Sequence, residues 1–340
     1  MNSAIQAIHK GGEQVRVLSA ENVTKSYGKH LALDNMSFEL RKGEIHTILG
    51  TNGSGKTTFI KVLATLLTKD SGIVNIGGYD LDTDANIIRR LIGYVGQDTE
   101  RSAYARLTVR ENLIFFGRLT GLSKQEISNQ IDKLSTYLDF SEHLNKQFMQ
   151  LSGGQKQTVV IMRALLHDPE VIYLDEPTKG LDPVISRRVR EFIKSYVRDE
   201  GKSIILTSHI LTEVEDMTDR VSLMRKGTLL KTGTIAELKS NLGAVEFIDI
   251  PRADLPPSIQ ERITALPEVT STIIREEEDT VSFGITNLYD GMGAVISELK
   301  EGNIHTTIQH RQLTLEDLFV QLYVKSDENL EYTLAGGREQ

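Results

Sequence analysis

Polar and apolar positions change rhythm several times along the chain, and the changes mark out its parts. Over residues 15–34 and 36–40 apolar side chains alternate with polar ones, the period of a strand with one buried face, and residues 73–76 repeat the pattern. These stretches predict an antiparallel β region. Residues 44–49, 171–174 and 205–208 are instead short, nearly continuous apolar runs, predicted as buried strands of a parallel sheet with helices between them. From Asp98 to Leu165 the apolar spacing turns helical, most clearly over 109–119 and 125–137, and predicts a helical subdomain at 98–165.

Beyond Leu238 the pattern starts afresh. Residues 245–250 read as a strand, 258–266 as a helix and 269–274 with 280–285 as a hairpin. Then 290–299 reads as a helix, 304–308 as an extended segment and 313–323 as a closing helix. The order β-α-β-β-α-β predicts a small ferredoxin-like α+β sandwich. The acidic run Arg275-Glu276-Glu277-Glu278-Asp279 lies between two strands and reads as a solvated hairpin tip, not a metal site. The layout expected is a flexible tail at 1–14, an α/β domain at 15–240, an accessory domain at 244–325 and a polar, disordered tail at 326–340.

Composition narrows the class. A chain of 340 residues with 39% hydrophobic and 25% charged residues suits an ordinary globular protein of roughly two domains. No apolar run reaches about 18 residues, so no membrane-spanning helix is expected, and residues 1–14 lack the apolar stretch of a signal peptide. The absence of cysteine excludes disulfides and thiolate metal sites and suits the cytosol. A net charge of −8 argues against a nucleic-acid partner held through its phosphates.

The candidate chemistry is concentrated in three places. Gly50-Thr51-Asn52-Gly53-Ser54-Gly55-Lys56-Thr57 fits the phosphate-binding pattern G-x-x-x-x-G-K-[ST], with a predicted strand before it and helical spacing from Thr58 onward. The glycines let the backbone curl so that its N–H groups converge on phosphate oxygens. Lys56 supplies a cation for the β and γ phosphates, and the Thr57 hydroxyl a ligand for Mg²⁺. The strand at 171–174 ends in Asp175 and Glu176, at the edge where open α/β sheets bind ligands. Asp175 suits Mg²⁺, while Glu176, pointing the other way on an extended chain, suits polarising a water. Third, Leu151-Ser152-Gly153-Gly154-Gln155 sets two adjacent glycines in an apolar stretch, as if the backbone there must approach something closely.

With these motifs in this order, residues 17–238 resemble the ATP-binding cassette (ABC) ATPases. In that family the string at 151–155 opens a helix whose N–H groups and serine meet the terminal phosphate of a nucleotide. The resemblance therefore implies ATP contacts for Ser152, Gly153, Gly154 and Gln155. It implies stacking of Tyr27 on adenine, contact of Gln97 with Mg²⁺ and water, and contact of His209 with the γ-phosphate. Asp182, in the segment Thr178-Lys179-Gly180-Leu181-Asp182-Pro183, matches a loop that crosses a dimer interface. Both Glu176 and His209 are retained, so ATP hydrolysis with Mg²⁺ is implied and not binding alone. In the family the string at 151–155 completes the site of the opposite subunit. One cassette per chain thus implies a second ATPase subunit, a homodimer being the simplest case.

Two positions depart from the family pattern. Thr158 stands where the family usually has Arg, though Arg163 is retained, and Gly96 stands where Pro is common, which is expected to loosen the loop at Gln97. Residues 106–113 and 314–319 resemble exporter ATPases of the daunorubicin-resistance type. The fold expected is an α/β phosphate-loop ATPase core, with antiparallel and helical subdomains, plus the ferredoxin-like accessory domain. The function expected is an ATP-hydrolysing exporter subunit. It would lie peripherally on the cytoplasmic face of a prokaryotic membrane, docked on a separately encoded permease through the region after Gln97. An importer ATPase or a soluble non-transport ABC ATPase are the alternatives.

Overall fold

The computed structural model describes residues 15–99, 102–240, 246–276 and 278–324. The expected tails at 1–14 and 326–340, the junction at 241–245 and Glu277 of the acidic tip lie outside the described residues. The chain divides into two compact units, parting between Thr232 and Gly233.

In the first unit, β1 (Arg16–Tyr27) and β2 (His30–Arg41) pair antiparallel across a turn at Gly28, which adopts φ +60°. That turn divides the alternating stretch at 15–34, which had looked continuous because Leu31 and Leu33 keep its rhythm. Next come β3 (Ile45–Leu49), α1 (Lys56–Leu63), β4 (Ser71–Ile76), β5 (Tyr79–Asp80), α2 (Ala85–Leu91) and β6 (Ile92–Val95). The helical stretch holds α3 (Val109–Leu119), α4 (Lys124–Tyr137) and α5 (Gly153–Leu165). The unit continues with β7 (Val171–Asp175), α6 (Pro183–Glu200), β8 (Ser203–Ser208), α7 (Leu211–Met217), β9 (Arg220–Arg225) and β10 (Thr228–Gly233).

One sheet runs β2-β1-β4-β5, and a six-stranded sheet runs β10-β9-β3-β8-β7-β6. Its β9-β3-β8-β7-β6 part is parallel. Alternation along β7 assigns its two faces: Val171 and Tyr173 enter the core that also holds Phe38 and Phe59. Ile172 and Leu174 enter the core that holds Leu113, Ile131 and Phe148 of the helical stretch. Buried on both faces, β7 and β8 arrive at the same edge of the sheet, so whatever follows each strand is delivered to one place.

In the second unit, α8 (Ile235–Ser240), β11 (Glu246–Pro251), α9 (Pro257–Thr264), β12 (Val269–Arg275), β13 (Thr280–Ile285), α10 (Leu288–Glu301), β14 (Gln309–Gln312) and α11 (Leu315–Val324) follow in order. The sheet order is β12-β13-β11-β14 with every neighbouring pair antiparallel. Together with the β-α-β-β-α-β order, this is the split β-α-β arrangement of a ferredoxin-like sandwich. Ile248, Ile250, Val281 and Phe283 pack against Ile259, Ile263, Val295 and Leu299 of α9 and α10. The last strand is not the apolar segment at 304–308 but the polar Gln309–Gln312 beside it. An edge strand is held by its backbone pairing with β11, and the alternating apolar rule does not apply to it.

Candidate functional site

The phosphate loop spans the end of β3 and the start of α1, and two of its glycines, Gly50 and Gly55, are forced by close packing. A Cβ on Gly50 would lie 2.4 Å from the Met224 carbonyl oxygen. Gly55, the N-cap of α1, takes φ +108° and would press a Cβ within 2.5 Å of the Ala32 carbonyl oxygen. Lys56 is 5% exposed and donates to the Gly50 and Thr51 carbonyl oxygens at 2.8 and 3.1 Å. Burial lowers its ammonium below the usual lysine range, against the opposing pull of Glu176 and Asp175.

Around this loop lies an open cleft of about 410 Å³ lined by Tyr27, His30, Asn52, Gly53, Ser54, Gly55, Lys56, Thr57, Thr58, Gln97, Glu176 and Lys179, among others. Tyr27, at the end of β1, is 49% exposed and lines the cleft. The Thr57 hydroxyl donates to Asp175 Oδ1 at 3.3 Å and accepts from Gln97 Nε2 at 3.2 Å. Three residues far apart in sequence thus converge on one point. Asp175 is 1% exposed, yet its Oδ2 has no hydrogen-bond partner. A buried, unpartnered carboxylate oxygen beside a hydroxyl and an amide is the hard-oxygen donor set that suits Mg²⁺, once the Gln97 amide turns its oxygen inward.

Glu176 follows at φ +52°, a left-handed conformation just past the end of β7, so it is not carried on the extended chain that the sequence suggested. The turn, not strand alternation, aims its side chain. Its N–H donates to the Thr207 carbonyl and hydroxyl oxygens at 3.2 and 3.0 Å. Its Oε1 lies 3.3 Å from His209 Nδ1 and its Oε2 2.9 Å from Lys179 Nζ. Burial raises the carboxyl, but Lys179, His209 and Lys56 outweigh it and hold Glu176 below the usual carboxylate range. Glu176 is therefore ionised at neutral pH, an acceptor for a water's hydrogen and a weak base.

The parts that two residues play here carry no signal in the sequence. The Thr207 hydroxyl donates to Asp175 Oδ1 at 2.6 Å, because the parallel register sets Asp175 beside Thr207. Sequence offers only a threonine two residues before His209. Lys179 is visible in sequence only as a member of the segment 178–183, with no role of its own.

Ser152, Gly153, Gly154 and Gln155 stand apart from this cleft. Ser152 caps α5 in a capping box: its hydroxyl accepts from Gln155 N at 3.3 Å while Gln155 Oε1 accepts from Ser152 N at 3.0 Å. Ser152, Gly154 and Gln155 line a second groove of about 650 Å³, with Thr158, Arg188 and Phe192. Thr158 donates to the Gly154 carbonyl at 3.1 Å, a local bond in place of an arginine's longer reach. Arg163 donates to the Ser102 carbonyl, and Gln157 accepts from Thr99 at 2.7 Å, so α5 is tied to the segment after Gln97. Gly96 carries no left-handed strain; a Cβ there would lie 2.7 Å from the Tyr94 hydroxyl. Asp182 uses its side chain to cap α6, accepting from Val184 and Ile185 N at 3.0 Å each.

A phosphate loop, a carboxylate pair and a histidine meeting at one edge of a largely parallel sheet define a nucleotide-hydrolysing cassette. The model of the ABC transporter family matches residues 33–179. The linearmycin resistance ATP-binding protein LnrL of Bacillus subtilis (strain 168) is 32% identical over 90% of this chain and 98% of its own. The daunorubicin resistance ATP-binding protein DrrA3 of Streptomyces coeruleorubidus is 31% identical over 90% of this chain and 95% of its own. The solved dimeric structure of a bacterial ABC transporter cassette superposes with a TM-score of 0.58 at 27% identity, covering 64% of this chain and 98% of that one. The chain belongs to the ABC transporter ATP-binding proteins, and it is an ATPase subunit of a transporter.

Proposed function

We propose that this chain is the ATPase of an exporter, working as a dimer that closes on two ATP molecules and drives a separately encoded membrane permease. One observation carries the proposal. Lys56, Thr57 and Glu176 line one cleft, with Asp175 bonded to Thr57 and His209 to Glu176 behind its lining, while Ser152–Gln155 stand at the head of α5, outside it. A helix start carries N–H groups that the helix itself does not use, and a second copy of the chain is the partner that would use those of α5. The likeness to a dimeric cassette supports this arrangement.

In the cleft, ATP phosphates would take the place of the Gly50 and Thr51 carbonyls on Lys56, and Tyr27 would stack on the adenine. Thr57, Gln97 and Asp175 would hold Mg²⁺, which when bound neutralises charge building up on the phosphates. Glu176 orients the attacking water through a hydrogen bond; the water oxygen would bond to the γ-phosphorus as the bond to the ADP oxygen breaks, with the water's proton leaving on the released phosphate. His209 keeps Glu176 Oε1 in place and faces the outgoing phosphate.

Exporter function is supported by the resistance names of the similar proteins. Permease docking is supported by an exposed apolar cluster: Tyr104 packs edge-on to Phe115 at 4.9 Å, with Leu119 at 69% and Met149 at 58% exposure. None of the helices among the described residues is long and apolar enough to cross a membrane, so attachment to the cytoplasmic face would run through that partner. The test is solution mass. Glu176→Gln with Mg²⁺ and ATP should double in mass, and adding Ser152→Arg should keep it monomeric while ATP binding persists. A Ser152→Arg chain that still dimerises on ATP would overturn the proposal.

A further inference from the structure

Lys179 sits in the segment 178–183, to which the family resemblance gives a role at a dimer interface, yet the fold places it on the wall of its own chain's cleft. Its N–H donates to the Glu176 carbonyl at 3.2 Å and Leu181 N–H to the Thr178 carbonyl at 3.2 Å, two tight turns in succession. Both ends of this segment are pinned. Glu176 N is held by Thr207, and the Thr178 hydroxyl donates to Glu213 Oε2 at 2.5 Å. Glu213 is in turn paired with Arg190 at 2.5 Å. The backbone is fixed, and the freedom that remains belongs to the lysine stem, half exposed at 53%. Its ammonium sits 2.9 Å from Glu176 Oε2 and shares the cleft with Lys56, Thr57 and Gln97.

We propose that Lys179 discriminates ATP from ADP by a hand-over: its ammonium rests on Glu176 Oε2 and transfers to the terminal phosphate of a bound nucleoside triphosphate. The exchange leaves Glu176 Oε2 free to accept a hydrogen bond from water once a triphosphate is present. A diphosphate lacks the third phosphate and leaves the ion pair intact. This rests on the assignment of the cleft as the nucleotide site and of Glu176 as the group that orients water. The pair is one-sided, with Glu176 4% exposed and Lys179 53% exposed, so the cation is the partner that can move and a bound phosphate can compete for it.

The test compares binding of a non-hydrolysable ATP analogue with an imido β–γ bridge against binding of ADP, on the full chain with Mg²⁺. Lys179→Gln should weaken the analogue by roughly five- to tenfold, the loss of a charged phosphate contact offset by the lost resting pair, and leave ADP unchanged. Lys179→Arg should restore discrimination. Equal weakening of both nucleotides, or of neither, would overturn the hand-over. Lys56→Ala separates the two ideas: it should weaken both nucleotides, and if it weakens neither, the assignment of the cleft itself is wrong.

Discussion

Two clusters of buried charge, one in each unit, do opposite things with the same chemistry. At the nucleotide cleft, Asp175 keeps Oδ2 unpartnered, Thr57 reaches Oδ1 only at 3.3 Å, and Lys56 spends its donors on loop carbonyls. In the second unit, Asp317 is fully buried and saturated. Its Oδ1 accepts from Arg275 at 2.6 Å and Arg311 at 2.9 Å, and its Oδ2 from Arg311 at 2.5 Å and from Thr314 N–H and hydroxyl at 2.8 Å each. Arg311 also donates to Asp249 at 2.6 Å and lies 4.6 Å over the Phe247 ring. The network fastens α11 to the sheet face opposite α9 and α10. The contrast lies between the two carboxylates, since Asp249 Oδ1 and Arg275 Nε of the second cluster are themselves unpartnered. A carboxylate with both oxygens answered holds a fold together, and one with an oxygen left open beside a hydroxyl and an amide suits a ligand.

Breaking each cluster should therefore be felt in different measurements. The largest effect is expected from Glu176→Gln, which should slow ATP hydrolysis by about 10²–10⁴ while the thermal midpoint holds or rises. A large loss of stability instead would make the cleft carboxylates structural, and erase the contrast. Asp317→Ala comes next. It strands two buried guanidinium groups and should destabilise the second unit by about 3–5 kcal/mol in denaturant unfolding, with nucleotide affinity unchanged.

Acid sharpens the same contrast. Burial raises the Asp317 carboxyl, but Arg311, Thr314 and Arg275 outweigh it, so the folded pKa lies below the ordinary value of 3.8. A depressed carboxyl contributes stability that is fully present above the unfolded pKa and lost as pH falls through the folded one. The stability gap between the native chain and Asp317→Asn should stay constant from about pH 7 to about pH 5 and narrow only below about pH 4. A gap that narrows near neutrality would mean another group controls the network. The smallest effect belongs to Thr207→Val, which removes the hydroxyl serving both Asp175 Oδ1 and Glu176 N. It should cost about 1–3 kcal/mol of stability, and it should raise the Mg²⁺ concentration needed for half-maximal hydrolysis. An unchanged Mg²⁺ requirement would remove Asp175 from the metal set.

How legible each cluster was follows from how local it is. The phosphate loop, the Asp175–Glu176 pair at a strand end and the Ser152-Gly153-Gly154 string are visible as neighbours within a few residues, because backbone curl and the end of an apolar run are short-range. The direction Glu176 points was not, since it follows a left-handed turn. The second cluster was hidden: Asp249, Arg275, Arg311 and Asp317 come from three strands and a helix, and singly each looks like a surface charge. The acidic run beyond Arg275 suggested only a solvated tip, yet Arg275 itself is buried against Asp317. Strand β14 escaped notice for a related reason, since an edge strand of Gln309, His310, Arg311 and Gln312 has no apolar rhythm to read.

By itself the sequence determined the family, the order of the motifs and the types of group that meet the phosphates, since those depend on residue identity and near-neighbour spacing. The tertiary structure alone decided which groups share a cleft and which do not. Parallel register set Thr207 beside Asp175, two tight turns brought Lys179 back onto Glu176, and packing left the head of α5 outside its own site. The reason is geometric: proximity across strands and helices depends on register and packing of the whole core, which no local spacing encodes.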